Sequence, residues 1–455
     1  MAPTDPLPDA VSDRLPDALP DPVSSVVRAV RDALDGGPAY APQPRLSDVA
    51  PPPGTALVLR TSGSTGNPRE VALSAAALRA SADATHERLG GPGSWLLVLP
   101  PTHVAGVQVI TRSLMAGGAP YPDTLDRFTA AGFAAVAADF ADRLARGRRA
   151  YVSLVPTQLH RLVTAADDGD RAGLDALARF DAVLVGGAAA PAPLLASARA
   201  AGVRVVTTYG MSETSGGCVY DGVPLAGVRV RLADADADTD ATAGPGSGLA
   251  PGSAPGTGVV ELSGPMLAEG YVGDPAATAA VFRTDPDGTR WFRTSDLGRL
   301  DDGRLTILGR ADDVILTGGV NVAPAAVEDA IAEHLAGLGT PGEACVVGVP
   351  DAEWGQAVVA VVATGTAGRV SAAQGSPDGQ SPDPVPAPVL TDGGGELLAG
   401  LRSAVGQRLG APAAPRRVYV TDALPTRGPG KTDRRAVRDA VVRAEREAAR
   451  EPVRP

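Results

Sequence analysis

Lysine is almost missing from this 455-residue chain: Lys431 is the single one, and every other strongly basic side chain is arginine. Acidic residues outnumber basic ones, 52 to 41, for a net charge of −11. That balance does not favour nucleic acid, whose binding leans on basic surface to displace counterions, and it argues against a polybasic membrane surface. Cysteine is as scarce, with only Cys218 and Cys345, far apart and in no CxxC pair. A disulfide framework and a cysteine-based zinc cluster are thereby excluded. Aromatic residues are only 4% of the chain, so a core must rest on alanine, valine and leucine. Long apolar runs are missing as well. The longest uncharged stretch, residues 89–111, is broken by Pro100, Pro101, His103 and Gln108 and reads as a buried strand–loop–strand, not a membrane span. Residues 1–22 lack both the basic start and the apolar stretch of a signal peptide, so a cytoplasmic location is expected.

What is present is glycine, proline and alanine in a chain long enough for two or three domains at roughly 150 residues each. Residues 1–53 carry 12 of the 42 prolines and one helical stretch, 24–34, where Val26, Val27, Val30 and Leu34 recur at helix spacing. This predicts a loosely structured lead-in. Beyond it, short apolar runs at 56–59, 95–99, 151–155, 182–185 and 203–207 read as strands, with helical stretches at 75–89, 129–146 and 191–200 between them. Such alternation predicts an α/β architecture of parallel sheets covered by helices. Residues 234–258 are acidic and then rich in glycine, proline and serine, and 364–395 are similar; both read as mobile insertions that bury no core. Between them, turn signals at Asp287-Gly288, Asp301-Asp302-Gly303 and Thr317-Gly318-Gly319 predict β-hairpins and then a smaller α+β domain. The expected organisation is a lead-in at 1–53, a large domain at 54–309, a small one at 310–440 and a tail at 441–455.

The first segment with chemistry in it comes directly after the strand ALVLR: Thr61, Ser62, Gly63, Ser64, Thr65, Gly66, Asn67, Pro68 and Arg69. Glycines let backbone N–H groups approach phosphate oxygens, and the hydroxyls add donors. The Walker A spacing does not fit here. A plain surface turn is the competing reading of this segment on its own.

TSGSTGNPR resembles the phosphate loop of the adenylate-forming superfamily, which includes acyl-CoA synthetases, luciferases and peptide-synthetase adenylation domains. Three further segments match it in order. Thr208-Tyr209-Gly210-Met211-Ser212-Glu213-Thr214 resembles the YGxTE motif. Phe292-Arg293-Thr294-Ser295-Asp296, with Leu308-Gly309-Arg310-Ala311-Asp312-Asp313, resembles the ribose-binding and hinge segments. Pro425-Thr426-Arg427-Gly428-Pro429-Gly430-Lys431 resembles the C-terminal catalytic lysine motif. The likeness runs from about 55 to 437. It implies an adenylate-forming fold with a shortened N-terminal part and a small mobile C-terminal α+β domain, and it implies ATP, Mg²⁺ and CoA as reactants and cofactor.

Each segment also carries its own physical reading. Tyr209, at a strand end, can lie flat against a base, or be a rim tyrosine. Glu213 is a hard oxygen ligand suited to Mg²⁺ beside a phosphate loop. Asp296 can accept from ribose hydroxyls and Arg310 can donate to the same sugar; either can equally be half of a surface ion pair. Gly186, Gly187 and Ala188, after the strand AVLV, permit close approach of a flat ligand, and the family's adenine pocket has such a GGA. Lys431, in a Pro/Gly loop, can bring an ammonium to developing negative charge. The resemblance implies a hinge at Asp312, a CoA path past Gly318 and Gly319, and a catalytic-site or acyl-pocket role for His103, with Ser212 and Gly217 lining the same pocket. His86, His160 and His334 fall in helical patterns and are assigned no role.

The sequence departs from the family where Pro-Lys-Gly is replaced by Pro68-Arg69-Glu70: the charge at 69 is kept as a planar fork, and Glu70 adds an opposing one. A narrower likeness, to the o-succinylbenzoate–CoA ligases of menaquinone synthesis, rests on the 216–228 stretch, the short front end and the His103 segment. It implies a dicarboxylate substrate whose second carboxylate needs a polar or cationic contact, with Arg161 and residues 207–215 as candidates. Another aryl or short-chain acyl-CoA ligase, a freestanding adenylation enzyme, and a degenerate nucleotide-binding protein stay open as alternatives. No carrier domain is expected after residue 440. Homodimers are common in the family, and no exposed seam in the sequence marks one.

Overall fold

The computed structural model describes residues 21–61, 68–123, 127–233, 256–340, 342–363, 388–427 and 431–448. A helix, α1 (Asp21–Leu34), precedes a hairpin of β1 (Thr55–Arg60) and β2 (Glu70–Ser74). Ser74 then caps α2 (Ala75–Arg88) by accepting from the Ala77 N–H. Next come β3 (Gly93–Leu97), α3 (Val104–Met115), β4 (Tyr121–Pro122), α4 (Ala130–Arg143), β5 (Arg149–Leu154), α5 (Pro156–Asp167), α6 (Ala172–Leu177), β6 (Ala182–Val185) and α7 (Ala192–Ala200). The segment closes with β7 (Val205–Met211), β8 (Gly216–Tyr220) and β9 (Val223–Pro224).

Seven of these strands form one sheet in the order β4-β3-β5-β6-β7-β8-β9. Pairing is parallel as far as β7 and antiparallel beyond it. Alternation along the strands divides the core in two. Trp95, Leu97, Tyr151, Ala182 and Leu184 face the side of α1 to α3, while Leu96, Val152, Leu154, Val183 and Val185 face Phe133, Leu159 and Leu194 on α4, α5 and α7. A sheet buried on both faces needs near-continuous apolar strands, which is what the short runs supply.

The chain then enters an antiparallel region: β10 (Arg229–Ala233), β11 (Thr257–Ser263), β12 (Gly270–Tyr271), a short α8 (Pro275–Val281), β13 (Phe282–Thr284), β14 (Arg290–Asp301) and β15 (Arg304–Arg310). Five of its strands form a second sheet, and β12 crosses over to pair with β2. The expected turns at 287–288 and 302–303 join β13 to β14 and β14 to β15.

The last unit comprises β16 (Ile315–Thr317), β17 (Val320–Val322), α9 (Pro324–Gly337), β18 (Glu343–Asp351), β19 (Gly355–Ala363), β20 (Thr391–Asp392), α10 (Gly394–Leu409), β21 (Arg417–Thr421), β22 (Thr426–Arg427), β23 (Lys431–Thr432) and α11 (Arg434–Ala448). On β19, Val358, Ala360 and Val362 pack beneath α9 and α10, while Ala357, Val359 and Val361 pack with Val437 and Val441 of α11. This small unit therefore has a core on both faces of its own six-stranded sheet.

Several expectations are corrected. From Asp21 on the lead-in is packed: Val27 and Val30 are fully buried in the main core, and Tyr40 bridges to Leu57 of β1, while residues 1–20 lie outside the described residues. The apolar spacing at 24–34 is a core-facing stripe. The 89–111 stretch is a strand followed by a helix, because His103 opens α3 and the run from Val104 is long enough for three turns. The second insertion ends early, since Thr391–Asp392 pair as a strand and α10 begins at Gly394. α11 runs through 441, where a tail was expected, because Val441 is needed beneath the sheet. Residues 234–255 and 364–387 of the two insertions lie outside the described residues.

Candidate active site

The hairpin β1–β2 forms the base of the segment expected to hold phosphate. Its ladder continues one step past Arg60↔Glu70, with the Thr61 N–H donating to the Arg69 carbonyl (2.8 Å) and the Arg69 N–H to Thr61 Oγ1 (3.1 Å). Ser62, Gly63, Ser64, Thr65 and Gly66, which this closed base carries, lie outside the described residues.

Side chains alternate along β2, so Arg69 and Glu70 point apart. Glu70 is buried, with Oε1 accepting from Arg45 Nε and the Leu46 N–H, both at 2.7 Å. Its charge is spent on the lead-in and does not oppose Arg69. On the other face, the Arg69 guanidinium lies 4.9 Å from the ring centre of Tyr271, placed there by the β12–β2 pairing. Tyr271 in turn donates its hydroxyl to Glu213 Oε1 (2.9 Å). Burial, and then the Glu213 charge, push the Tyr271 phenol upward, so it remains a donor. Tyr271 escaped the sequence reading because a lone Gly-Tyr pair carries no chemical spacing; only its strand partner gives it a role.

Glu213 sits in a turn held open by unusual backbone. Ser215 has φ +51° although it carries a side chain. Its carbonyl accepts from Gln108 Nε2 (2.7 Å) and Ser81 Oγ (3.1 Å), and its own hydroxyl donates to the Met266 carbonyl (2.8 Å). Gln108 and Ser81 were not singled out in the sequence, yet a buried glutamine in an apolar helix is a signal of such a tie.

The nucleotide-type residues converge where β6 and β7 end, the usual side for ligands in parallel α/β sheets. Gly186 follows β6, and a Cβ there would stand 2.1 Å from Thr208 Oγ1. Gly210 on β7 is as constrained, with Gly216 O 2.1 Å from where its Cβ would be. Gly187 and Ala188 are exposed beside them. Tyr209, between the two, donates to Asp296 Oδ2 (2.7 Å), and burial together with that carboxylate holds its phenol well above its usual pKa. Asp296 faces Arg310 across the β14–β15 ladder. Arg310 reaches Ser295 Oγ (2.9 Å) and Asp312 Oδ2 (2.6 Å); burial works against its charge, and the Asp312 and Asp296 carboxylates outweigh it. The two sugar-binding candidates and the expected hinge residue are thus neighbours.

His103 is the residue before α3, half-buried, with Nδ1 3.1 Å from Thr102 Oγ1. Ser212 and Gly217 are also half-buried, on either side of the Glu213 turn. Of the candidates for a second carboxylate, Thr207 is spent on Asp221 Oδ1, Thr214 and Ser215 are enclosed in backbone bonds, and Arg161 donates to the Phe128 carbonyl (3.5 Å). Burial pushes the Cys218 thiol up to about 12, so it is no nucleophile. Gly318 and Gly319 form the β16–β17 turn, with the Gly318 N–H on the Trp354 carbonyl (2.9 Å), and Lys431 opens β23. These three belong to the small unit. Among the described residues no group of three His, Cys, Asp or Glu could cage a metal ion, and no helix is long and apolar enough to cross a membrane.

Strand-end glycines and a carboxylate braced by tyrosine on the large unit, with a small unit following, are the arrangement a two-unit nucleotide-binding enzyme would present. The AMP-binding enzyme family matches residues 6–272, and the AMP-binding enzyme C-terminal domain matches residues 326–431; the chain belongs to this family. It is 43% identical over 390 residues to a probable 2-succinylbenzoate–CoA ligase of Mycobacterium tuberculosis, covering 84% of this chain and 83% of that one. A medium/long-chain-fatty-acid–CoA ligase of the same organism, FadD8, is 32% identical over 92% of this chain and 67% of its own. Among solved structures, the o-succinylbenzoate CoA synthetase of Bacillus subtilis in complex with the acyl-adenylate OSB-AMP superposes with a TM-score of 0.60 at 25% identity, covering 85% of this chain and 69% of that chain.

Proposed function

We propose that this protein is an ATP-dependent acyl-CoA ligase that converts o-succinylbenzoate to o-succinylbenzoyl-CoA, the step used in menaquinone synthesis. The observation that carries this reading is the 43% identity to the mycobacterial 2-succinylbenzoate–CoA ligase, which extends across 84% of the chain. In the first half-reaction a carboxylate oxygen of the acid bonds to the α-phosphorus of ATP and pyrophosphate leaves. In the second, the CoA sulfur bonds to the acyl carbon and AMP leaves, the thiol proton passing to solvent.

The residues divide the labour. Gly186, Gly187, Ala188 and Tyr209 bound the base, Asp296 and Arg310 hold the ribose, and the 61–69 loop with Arg69 holds phosphate. His103, Ser212 and Gly217 line the acyl pocket. Glu213 suits Mg²⁺: a hard carboxylate braced by the Tyr271 hydroxyl matches an ion that takes one or two carboxylates and keeps waters and substrate phosphates. When bound, Mg²⁺ would offset charge on the phosphates. Lys431 serves the first half-reaction by meeting the charge that develops at the α-phosphate. The small unit turns about Asp312 between the halves, and CoA enters past Gly318 and Gly319.

The test is pyrophosphate release with ATP, Mg²⁺ and CoA across o-succinylbenzoate, benzoate, acetate and a medium-chain fatty acid. Release confined to o-succinylbenzoate, with the new thioester seen by mass, is the expected result. Release with the fatty acid instead would move the protein toward its FadD8 relative and discard the menaquinone assignment.

A further inference from the structure

Lys431 stands in a two-residue strand, and a strand that short does not fix itself. Its ladder consists of Lys431 on Arg427 and Thr432 on Thr426. Two residues beyond that strand stands Arg434, the first residue of α11, and its side chain is engaged with several elements of the small unit. Nη1 and Nη2 take the two oxygens of Glu328 on α9, the second at 3.1 Å. Nη1 also donates to the Val346 carbonyl of β18 (2.6 Å), and Nε stands 3.3 Å from Asp313 Oδ2, one residue past the expected hinge. Glu328 closes the set by accepting from the Val346 N–H (2.7 Å). Helix, sheet and hinge segment thus meet on one guanidinium three residues from Lys431. A fork with five donors in one plane can make all four of these contacts at once, one more than the three donors of an ammonium allow.

We infer that Arg434 is the positioning residue for Lys431: it fastens the outgoing end of the lysine's strand to Glu328, Val346 and Asp313, so that when the small unit turns, Lys431 travels at a fixed place relative to the hinge. This rests on the assignment of Lys431 to the first half-reaction. Arg434 touches no substrate and acts only through the lysine. Loosening the fastening therefore slows adenylate formation and leaves the thiol step alone. Displacements of about 1 Å cost on the order of 100-fold in rate, so a 10- to 100-fold loss is expected.

The experiment measures both half-reactions in the full-length protein. Pyrophosphate release is followed in a single turnover with o-succinylbenzoate and ATP, and CoA consumption is followed from preformed acyl-adenylate. R434M should lose the first selectively, R434K should recover only part of it, and E328Q should resemble R434M. The double variant K431A/R434M should be no slower in adenylation than K431A alone, since a residue acting through Lys431 has nothing left to act on. Hydrogen exchange in β18 and β19 reports whether the small unit stays folded; should R434M lose that protection, R434K and E328Q decide. If folded variants slow both half-reactions alike or neither, or if R434M adds further loss to K431A, the inference is wrong. If K431A itself is not selective for the first half-reaction, the assignment beneath it fails instead, and the two failures are told apart by that single control.

Discussion

At the scale of single residues, the site is organised by pairs in which a neutral hydroxyl orients a carboxylate. Tyr209 on Asp296 and Tyr271 on Glu213 have the same chemistry. Removing one hydroxyl should release the carboxylate it holds. Tyr209→Phe is expected to raise the KM for ATP about tenfold with a smaller change in kcat, since a hydrogen bond to a charged group contributes roughly 1.5 kcal/mol. Steady-state kinetics with ATP varied checks this, and an unchanged KM would mean that Asp296 needs no bracing. A second residue-scale effect concerns His86, whose Nε2 has no hydrogen-bond partner among the described residues. Burial first, then the Arg112 and Arg148 charges, depress its pKa from 6.5 to about 4. The unfolded chain therefore binds the extra proton between those two values, so stability is fully present above pH 6.5 and is lost as pH falls toward 4. Urea unfolding of the protein and of His86→Gln at pH 7.5 and 4.5 should show the protein losing on the order of 2 kcal/mol relative to the variant, a comparison that cancels the opposing gain from the buried Asp329 carboxyl, raised to about 6. The candidate residues split by how they were legible. Glu213, Asp296 and Arg310 stand in ordered motifs that single them out as candidates, whereas Tyr271, Gln108 and Arg434 are tied to partners 58, 107 and 106 positions away, which no local spacing encodes.

Among elements, the hairpin β1–β2 joins the most parts of the site. One face carries Arg69 toward Tyr271 and Glu213; the other carries Glu70 toward Arg45 and Leu46, so the segment behind α1 is strapped to the strand that leads out of the candidate phosphate segment. Glu70→Gln keeps the shape and removes the charge, leaving Arg45 half-exposed without its partner. The expected cost is about 1 to 2 kcal/mol in denaturant unfolding, below the range for fully buried pairs because Arg45 reaches water. Since Glu70 faces away from Arg69, the KM for ATP should stay nearly constant; a large rise would mean the strap shapes the loop itself. α1 is tested in the same way, with Val30→Ala expected to cost about 2 kcal/mol at a fully buried site. Elements were legible where two signals agreed. Gly- and Asp-marked turns between apolar runs gave the hairpins, and short apolar runs between alanine-rich helices gave the parallel sheet. They were misread where periodicity alone was available: residues 104–111 are apolar enough for either a strand or a helix, and the length of the run through Met115 together with the seat of α3 on β3 and β8 decides.

For the whole molecule, the division of the site between two units makes a prediction about stability. Every residue assigned to base and ribose lies at or before Arg310, and the small unit has its own core on both sheet faces. The tryptophans are divided in the same way: Trp95 and Trp291 are buried in the large unit, while Trp354 lies in the small one beneath Arg416, whose guanidinium is 3.7 Å from its ring centre. Ligand that binds only the folded large unit stabilises that unit by mass action, about 2.7 kcal/mol at a hundredfold excess over Kd. AMP should therefore raise the thermal transition seen in Trp354→Phe, where only the large unit reports. In a variant retaining Trp354 alone the transition should not move. The units touch where α9 meets α7 and β15, so a fully coupled molecule would shift both signals together. That outcome would show the contact to be strong enough to make the units unfold as one, and a small unit that turns between half-reactions would then have to break a substantial interface each time.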